Sequence, residues 1–254
     1  MLAIDIGNTN ITTGIFEGSD LLGVYRVPTE ECLKGSAFLA HVPVLCNALP
    51  DSAVMVSVRS AAAKIIIKEF EESTGASPML VDVTTPMGIE VSYETKETLG
   101  MDRLVCAAGA FHLYRKKHRP VIVIDMGTAT TIDYVSENGV FFGGMIAPGI
   151  KSAYKGLISA APGLPMIPDL FAGELIGTST EASVRSGVVM GHACMIRKVV
   201  ELMARQNKAK PVVVLTGGTS GMVAKGLPKT YIRDNDLILK GLCVIWSLLN
   251  SKKC

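Results

Sequence analysis

Ile4-Asp5-Ile6-Gly7-Asn8-Thr9-Asn10 returns later in the chain as Ile124-Asp125-Met126-Gly127-Thr128-Ala129-Thr130. Both copies read Ile-Asp-x-Gly, at the end of an apolar strand and ahead of a threonine-containing turn. Outward from the first copy, Leu2–Ile6 is an apolar strand and Gly7–Asn10 is turn chemistry. Ile11–Phe16 and Leu21–Val27 are further strands, parted by Glu17-Gly18-Ser19-Asp20. A helix over Glu30–Ala48, a strand at Ala53–Val58, a helix at Ala61–Ser73 and a strand at Pro78–Val83 follow. The order is βββαβαβ. Around the second copy the same order appears. Strands at Pro120–Ile124, Thr130–Val135 and Val140–Gly144 lead to helical pattern at Ile150–Ser159. Val189, Ala193, Ile196, Val200 and Met203 then share one helical face. A strand at Pro211–Leu215, a short helix at Ser220–Lys225, a strand at Thr230–Arg233 and a helix at Leu239–Leu249 complete the half. The pattern predicts an α/β fold of two duplicated domains, 1–117 and 118–254, joined near His112–Arg119. A cleft between the two is the expected ligand site.

Composition narrows the function. The chain has 254 residues, 48% apolar and 19% charged, with a formal net charge of +2. Such a chain buries a large core, which excludes general disorder. So weak a field argues against nucleic acid and against an anionic membrane surface. No apolar run is long enough to span a bilayer, and Met1-Leu2-Ala3-Ile4-Asp5 lacks the pattern of a signal peptide. Cys32, Cys46, Cys106, Cys194, Cys243 and Cys254 form no Cys-x-x-Cys pair, which suits free thiols in a cytoplasmic protein. His41, His112, His118 and His192 have no ligand spacing, and His192 falls beside an apolar helix face as a core or interface residue. Arg115-Lys116-Lys117-His118-Arg119 closes an apolar helix, where cations suit the C-terminal dipole.

Three constellations carry chemistry. An Asp-x-Gly-x-Thr turn after a strand puts a carboxylate at the strand's end and a backbone that a ligand can approach closely. N–H groups of Gly7 through Asn10, with the Thr9 hydroxyl, can face phosphate oxygens. Asp5 can hold Mg²⁺ through water. The alternative for either turn alone is an ordinary Asn/Thr turn; two at matching places favour a nucleotide gripped from both sides. Thr216-Gly217-Gly218-Thr219-Ser220-Gly221 follows a buried strand and precedes a helix, which marks either a ligand face with room for a flat base or a tight turn. Gly100-Met101-Asp102-Arg103 opens the apolar helix Leu104–Tyr114. Asp102 there either caps the helix or serves a substrate hydroxyl as general base, with Arg103 meeting a carboxylate or phosphate. No Walker P-loop and no Gly-x-Gly-x-x-Gly after the first strand is present.

Taken together, Asp5–Asn10, Tyr93 with Gly100-Met101-Asp102-Arg103, Asp125–Thr131, Gly143–Gly149 and Thr216-Gly217-Gly218 make the chain resemble the type III pantothenate kinases over nearly its whole length. That resemblance implies the acetate and sugar kinase/Hsp70/actin superfamily and two ribonuclease-H-like halves. It implies transfer of the ATP γ-phosphate to pantothenate, the first step of coenzyme A synthesis, in a cytoplasmic homodimer. A divalent metal such as Mg²⁺ and a monovalent cation, K⁺ or NH₄⁺, are implied as well. By position, Asp5, Ile6, Gly7, Asn8, Thr9, Asn10, Ile11 and Thr12 become the ATP phosphate loop, and Thr128 touches ATP. Asp102 becomes the catalytic base. Tyr93, Gly100, Met101 and Arg103 line the pantothenate pocket, Asp125 binds the monovalent cation, and Thr180 reaches the substrate across the dimer. The chain departs from the family pattern at three places. It has Gly177-Thr178-Ser179-Thr180 for Gly-Lys-Asn-Thr, Lys96 for a proline, and Ser57-Val58-Arg59-Ser60 for Ser-Val-Val-Pro. A different reading is a non-catalytic nucleotide-binding regulator or accessory factor of the same superfamily.

Overall fold

The computed structural model describes residues 1–34, 38, 39, 42 and 49–251, and divides the chain into two compact units. The first runs from Met1 to Leu113 and takes in the segment from Asp236 onward; the second is Tyr114–Asn235.

In the first unit, β1 (Leu2–Ile6), β2 (Asn10–Glu17), β3 (Asp20–Pro28), β4 (Ala53–Ser57) and β5 (Met79–Leu80) form one sheet in the order β3-β2-β1-β4-β5, and the two-residue β6 (Glu90–Val91) follows in the chain. β1 pairs antiparallel with β2 and parallel with β4. Two short hairpin turns make the antiparallel part, and the parallel step to β4 needs a long crossover. Helices α1 (Thr29–Leu33) and α2 (Ser60–Thr74) lie on one face. There Ile4, Ile6, Ile11 and Ile15 pack with Ile66 and Phe70.

The second unit repeats the plan. β7 (Val121–Met126), β8 (Ala129–Val135), β9 (Val140–Pro148), β10 (Val212–Thr216) and β11 (Ile232–Arg233) lie in the order β9-β8-β7-β10-β11. Its core sets Ile122, Ile124 and Leu215 against Val189, Ile196 and Val200. The helices are α4 (Ile150–Ala160), α5 (Thr180–Arg185), α6 (Gly191–Gln206) and α7 (Ser220–Val223). One π-turn, Ser186–Met190, joins α5 to α6.

The duplication extends to register. Asp5 stands opposite Thr12, and Asp125 opposite Thr131. At the same distance beyond that pair, the outer hairpin of each sheet carries a β-bulge, between Ile15 and Phe16 and between Tyr134 and Val135. A bulge adds a residue to one strand and sharpens its twist, so matched bulges show two copies of one bent sheet. Each unit therefore has the βββαβαβ order and strand arrangement expected of a ribonuclease-H-like domain.

Some expectations are corrected. The C-terminal part does not belong with the second half. Helix α8 (Leu237–Asn250) packs on β1, β2 and β4 of the first unit. α1 and α2 cover only one face of that sheet, and α8, with Leu237, Leu239, Leu242 and Ile245 fully buried, covers the other. The expected boundary at 117/118 falls instead at 113/114. The helix expected over Glu30–Ala48 ends at Leu33 among the described residues. The backbone N–H groups of Phe38 and Leu39 donate to the Glu69 carboxylate instead, at 3.1 and 2.8 Å. Residues 35–37, 40, 41 and 43–48, with His41 and Cys46, lie outside the described residues, as does Cys254. Among the described residues, Cys32, Cys106, Cys194 and Cys243 are in no disulfide. No described helix is long and apolar enough to cross a membrane.

Helix α3 (Met101–Tyr114) belongs to the first unit up to Leu113. It crosses α8 at Gly109 and Gly241, where a methyl on Gly109 would stand 2.8 Å from the Gly241 Cα. Two glycines at the crossing let the helix backbones touch.

Candidate active site

In the first unit, the turn after β1 is closed by the Gly7 N–H, which donates to the Asn10 carbonyl at 3.0 Å. Asn8, Thr9 and Asn10 are exposed, and Asp5 is half-buried on the β1 face opposite Ile4 and Ile6. Thr29, the first residue of α1, pins the turn twice. Its hydroxyl donates to the Gly7 carbonyl at 2.8 Å and its N–H to the Thr9 carbonyl at 3.0 Å. These bonds engage the carbonyls of Gly7, Thr9 and Asn10, and the exposed Asn8–Asn10 rim offers N–H groups and a threonine hydroxyl, a surface suited to an anion.

The second unit builds the counterpart. The Gly127 N–H donates to the Ala129 carbonyl at 2.9 Å. Thr128 O accepts from the Gly149 N–H at 3.0 Å and from the Ser152 hydroxyl at 2.7 Å. The structural equivalent of Thr9 is therefore Thr128, not the Ala129 that an ungapped alignment sets against it. The first turn is one residue longer. Sequence reasoning missed the two pins; the available signal was a hydroxyl residue, Thr29 or Ser152, at the start of the helix after each third strand.

Asp125 is half-buried at the end of β7, beside Thr216 of β10. Gly217 has φ +88°, and a side chain there would collide with Asp125 Oδ1 and the Met126 backbone. Thr219 ties this loop down, donating through its hydroxyl (2.8 Å) and its N–H (3.0 Å) to the Met126 carbonyl. Gly218 faces open space. The structure thus brings Asp125 and the Thr216–Thr219 loop together, with a bare backbone over the carboxylate.

Asp102 is half-buried in the first turn of α3, and its Oδ1 accepts the Arg103 N–H at 2.9 Å. A methyl on Gly100 would stand 2.5 Å from that oxygen, which explains the Gly-x-Asp spacing. The buried Arg103 guanidinium lies 5.9 Å from the centroid of the Tyr93 ring. Tyr93, Gly100, Asp102 and Arg103 thus form one patch.

Thr180 lies elsewhere. It is exposed at the start of α5 and lines a cavity of about 630 Å³ in the second unit. Leu157, Leu164, Val184, Val188, Met195 and His192 line it too, and none of the other expected substrate residues does. His192 proves to be a core residue: its Nε2 lies 2.9 Å from the Thr130 hydroxyl, and burial holds its pKa below the ordinary value.

Among the described residues no cluster of three or more His, Cys, Asp or Glu is placed to hold a metal. Magnesium bound to a nucleotide keeps most of its water and needs one or two carboxylates, so the single half-exposed Asp5 fits it. Asp125, under a glycine whose Cβ would fill the space above its carboxylate, fits a loosely coordinated cation.

Residues 1–202 match the family model for type III pantothenate kinases. A type III pantothenate kinase from Moorella thermoacetica is 31% identical over 97% of this chain and 98% of its own length. One from Listeria monocytogenes is 31% identical over 97% and 96%. Among solved structures, a conserved Campylobacter jejuni protein assigned to the Baf family of transcriptional activators superposes with TM-score 0.64 at 19% identity, covering 99% of this chain and all of that one. The activator of 2-hydroxyisocaproyl-CoA dehydratase from Clostridium difficile, with bound ADPNP, superposes with TM-score 0.57 at 12% identity, covering 100% and 96%. At those identities the structures speak for the fold alone, which this chain shares over nearly its whole length.

Proposed function

The chain belongs to the type III pantothenate kinase family, an ATP-dependent kinase that phosphorylates pantothenate in coenzyme A biosynthesis, and from that premise we propose which of its residues carry the reaction. Asp5 through Thr12 take the nucleotide's phosphates on the N–H-rich rim of the first turn, and Thr128 touches ATP from the second. Tyr93, Gly100, Met101 and Arg103 hold pantothenate, with the Arg103 fork suited to its carboxylate. Asp102 orients the primary hydroxyl and accepts its proton as the bond to phosphorus forms.

Phosphoryl transfer is mostly positioning and charge stabilisation, which these residues supply with little covalent work. Asp5 would hold Mg²⁺ through water and Asp125 would hold K⁺ or NH₄⁺; both ions supply positive charge against the phosphate oxygens. The observation that carries the reading is the patch at the start of α3. Gly100 leaves room for the Asp102 carboxylate, and a buried arginine stands beside an aromatic ring at the same place. A nucleotide-binding regulator needs no such base.

We infer a cytoplasmic homodimer in which Thr180 reaches the partner's substrate. The apolar cavity beside Thr180, and the exposed Met166, Leu175 and Ile176 of the same unit, support an interface there. Light scattering should then give about twice the 26.9 kDa of one chain.

The deciding experiment is ADP release from ATP and Mg²⁺, with and without pantothenate, in K⁺ and again in Na⁺. Turnover requiring both pantothenate and K⁺ supports the assignments. Indifference to K⁺ removes the cation role of Asp125. Folded protein that binds ATP but never turns over supports the regulator instead.

A further inference from the structure

Ser57-Val58-Arg59-Ser60 lies against the first turn, and the reaction above gives it no work. Ser57 ends β4 in register with Ile6, and the Val58 N–H donates to the Ile6 carbonyl at 3.0 Å. The chain is thereby stitched to the residue just before Gly7. Arg59 follows with its backbone fixed at both ends. Its N–H donates to Ser57 Oγ, and the Ser57 hydroxyl donates to its carbonyl, both at 3.0 Å.

The side chain is less constrained. It is 36% exposed, and among the described residues its guanidinium pairs with Glu30, 3.5 Å from Oε1. Glu30, 65% exposed, is the second residue of α1, next to the Thr29 that pins Gly7 and Thr9. The turn is therefore bordered on one side by Thr29 and Glu30 and on the other by Val58 and Arg59. Arg59 is the one cation on those flanking residues.

An exposed ion pair of this kind contributes little stability, and a single contact engages a small part of a five-donor fork. Giving up Glu30 costs little. A phosphate oxygen pair offers the same fork two charge-assisted hydrogen bonds.

We propose that Arg59 is a nucleotide-binding residue: its guanidinium rests on Glu30 in the empty protein and exchanges that carboxylate for oxygens of the ATP polyphosphate. The proposal rests on the reading of Asp5–Thr12 as the phosphate turn. Arg59 then adds a mobile positive charge to a turn that otherwise offers only N–H groups and hydroxyls. Glu30 competes with the ligand.

Calorimetric titration of the full chain with ATP–Mg²⁺, and separately with pantothenate, tests this without requiring turnover. Arg59→Ala should weaken ATP by about ten-fold, the scale of one charge-assisted bond at a partly exposed site, and leave pantothenate within about two-fold. Arg59→Lys should recover part of the loss. Glu30→Gln should tighten ATP by about two-fold, since the competitor is gone. A purely structural ion pair predicts the contrary, both variants weakening ATP together. That result would overturn the proposal, as would unchanged ATP affinity in Arg59→Ala or a loss confined to pantothenate. Gly7→Val separates the two levels of the argument, since its side chain presses on the Asn10 carbonyl, 3.0 Å from the Cβ position. If Gly7→Val weakens ATP and Arg59→Ala does not, Arg59 alone is refuted. If neither does, the phosphate turn falls and takes the proposal with it. Melting curves should show the Arg59 and Glu30 variants folded, because both are surface groups.

Discussion

At the scale of single residues, the base role proposed for Asp102 can be separated by substitution from the hydrogen bond it makes at the start of α3. Its Oδ1 accepts the Arg103 N–H, which an asparagine carbonyl does equally well, but an amide takes no proton. Asp102→Asn should therefore keep its melting temperature while kcat falls at least about 100-fold. Equal loss of stability and activity would mark Asp102 as a cap. His192 offers a second test, read in pH. Burial favours its neutral form, so its folded pKa lies below the ordinary 6.5 and the unfolded chain takes up the proton first. Stability is then full above about pH 6.5 and falls as the pH drops below it. The wild-type melting temperature should decline between about pH 7 and about pH 5.5. His192→Gln should decline less over that range. Asp102 stood out as a candidate in the sequence because a carboxylate two residues after a glycine, at the start of an apolar run, is a recognisable pattern. The contact of His192 with Thr130 joins elements far apart in the chain and has no local signature.

The elements show what periodicity can and cannot reveal. Strands β1, β2, β7, β8 and β10 could be read almost to the residue, because β-branched and apolar runs bounded by turn chemistry have few other solutions. The short α5 went unseen, although Ser179 accepts the Ala182 N–H at its start as an N-cap serine does. Six residues hold too little periodic pattern to register. The α3–α8 crossing was equally hidden, since Gly109 and Gly241 look like weak points in their helices until the backbones are seen to meet. A methyl on Gly241 would stand 2.5 Å from the Val105 carbonyl, so relief requires backbone movement. Gly241→Ala should cost about 1–3 kcal/mol in chemical denaturation, against the gain that alanine brings to a free helix. A stabilised variant would mean that the crossing is looser than it stands here.

For the whole molecule, the sequence made the duplication plain and misassigned its last helix. Linear reading attaches a C-terminal segment to whatever precedes it, whereas burial attaches it to the sheet face with nothing else to cover it. The magnitudes show how firmly. Leu237, Leu239, Leu242 and Ile245 are each fully buried, and at about 1.5–3 kcal/mol apiece they supply roughly 6–12 kcal/mol. That is comparable to the entire stability of a typical domain, about 5–15 kcal/mol. A chain ending at Asn235 should therefore lose the first unit while keeping the second. The second has its own core and its own closing contact, the Tyr114 hydroxyl donating to Asp234 at 2.6 Å. Hydrogen exchange on the truncated protein should show β1, β2 and β4 exchanging freely while β7, β8 and β10 stay protected. Addition of α8 as a separate peptide should restore protection to the first three strands. Protection of β1 in the truncated chain would show that α1 and α2 suffice for that sheet. Loss of β7 as well would show that the units fold only together, and that the second copy of the motif cannot hold its shape alone.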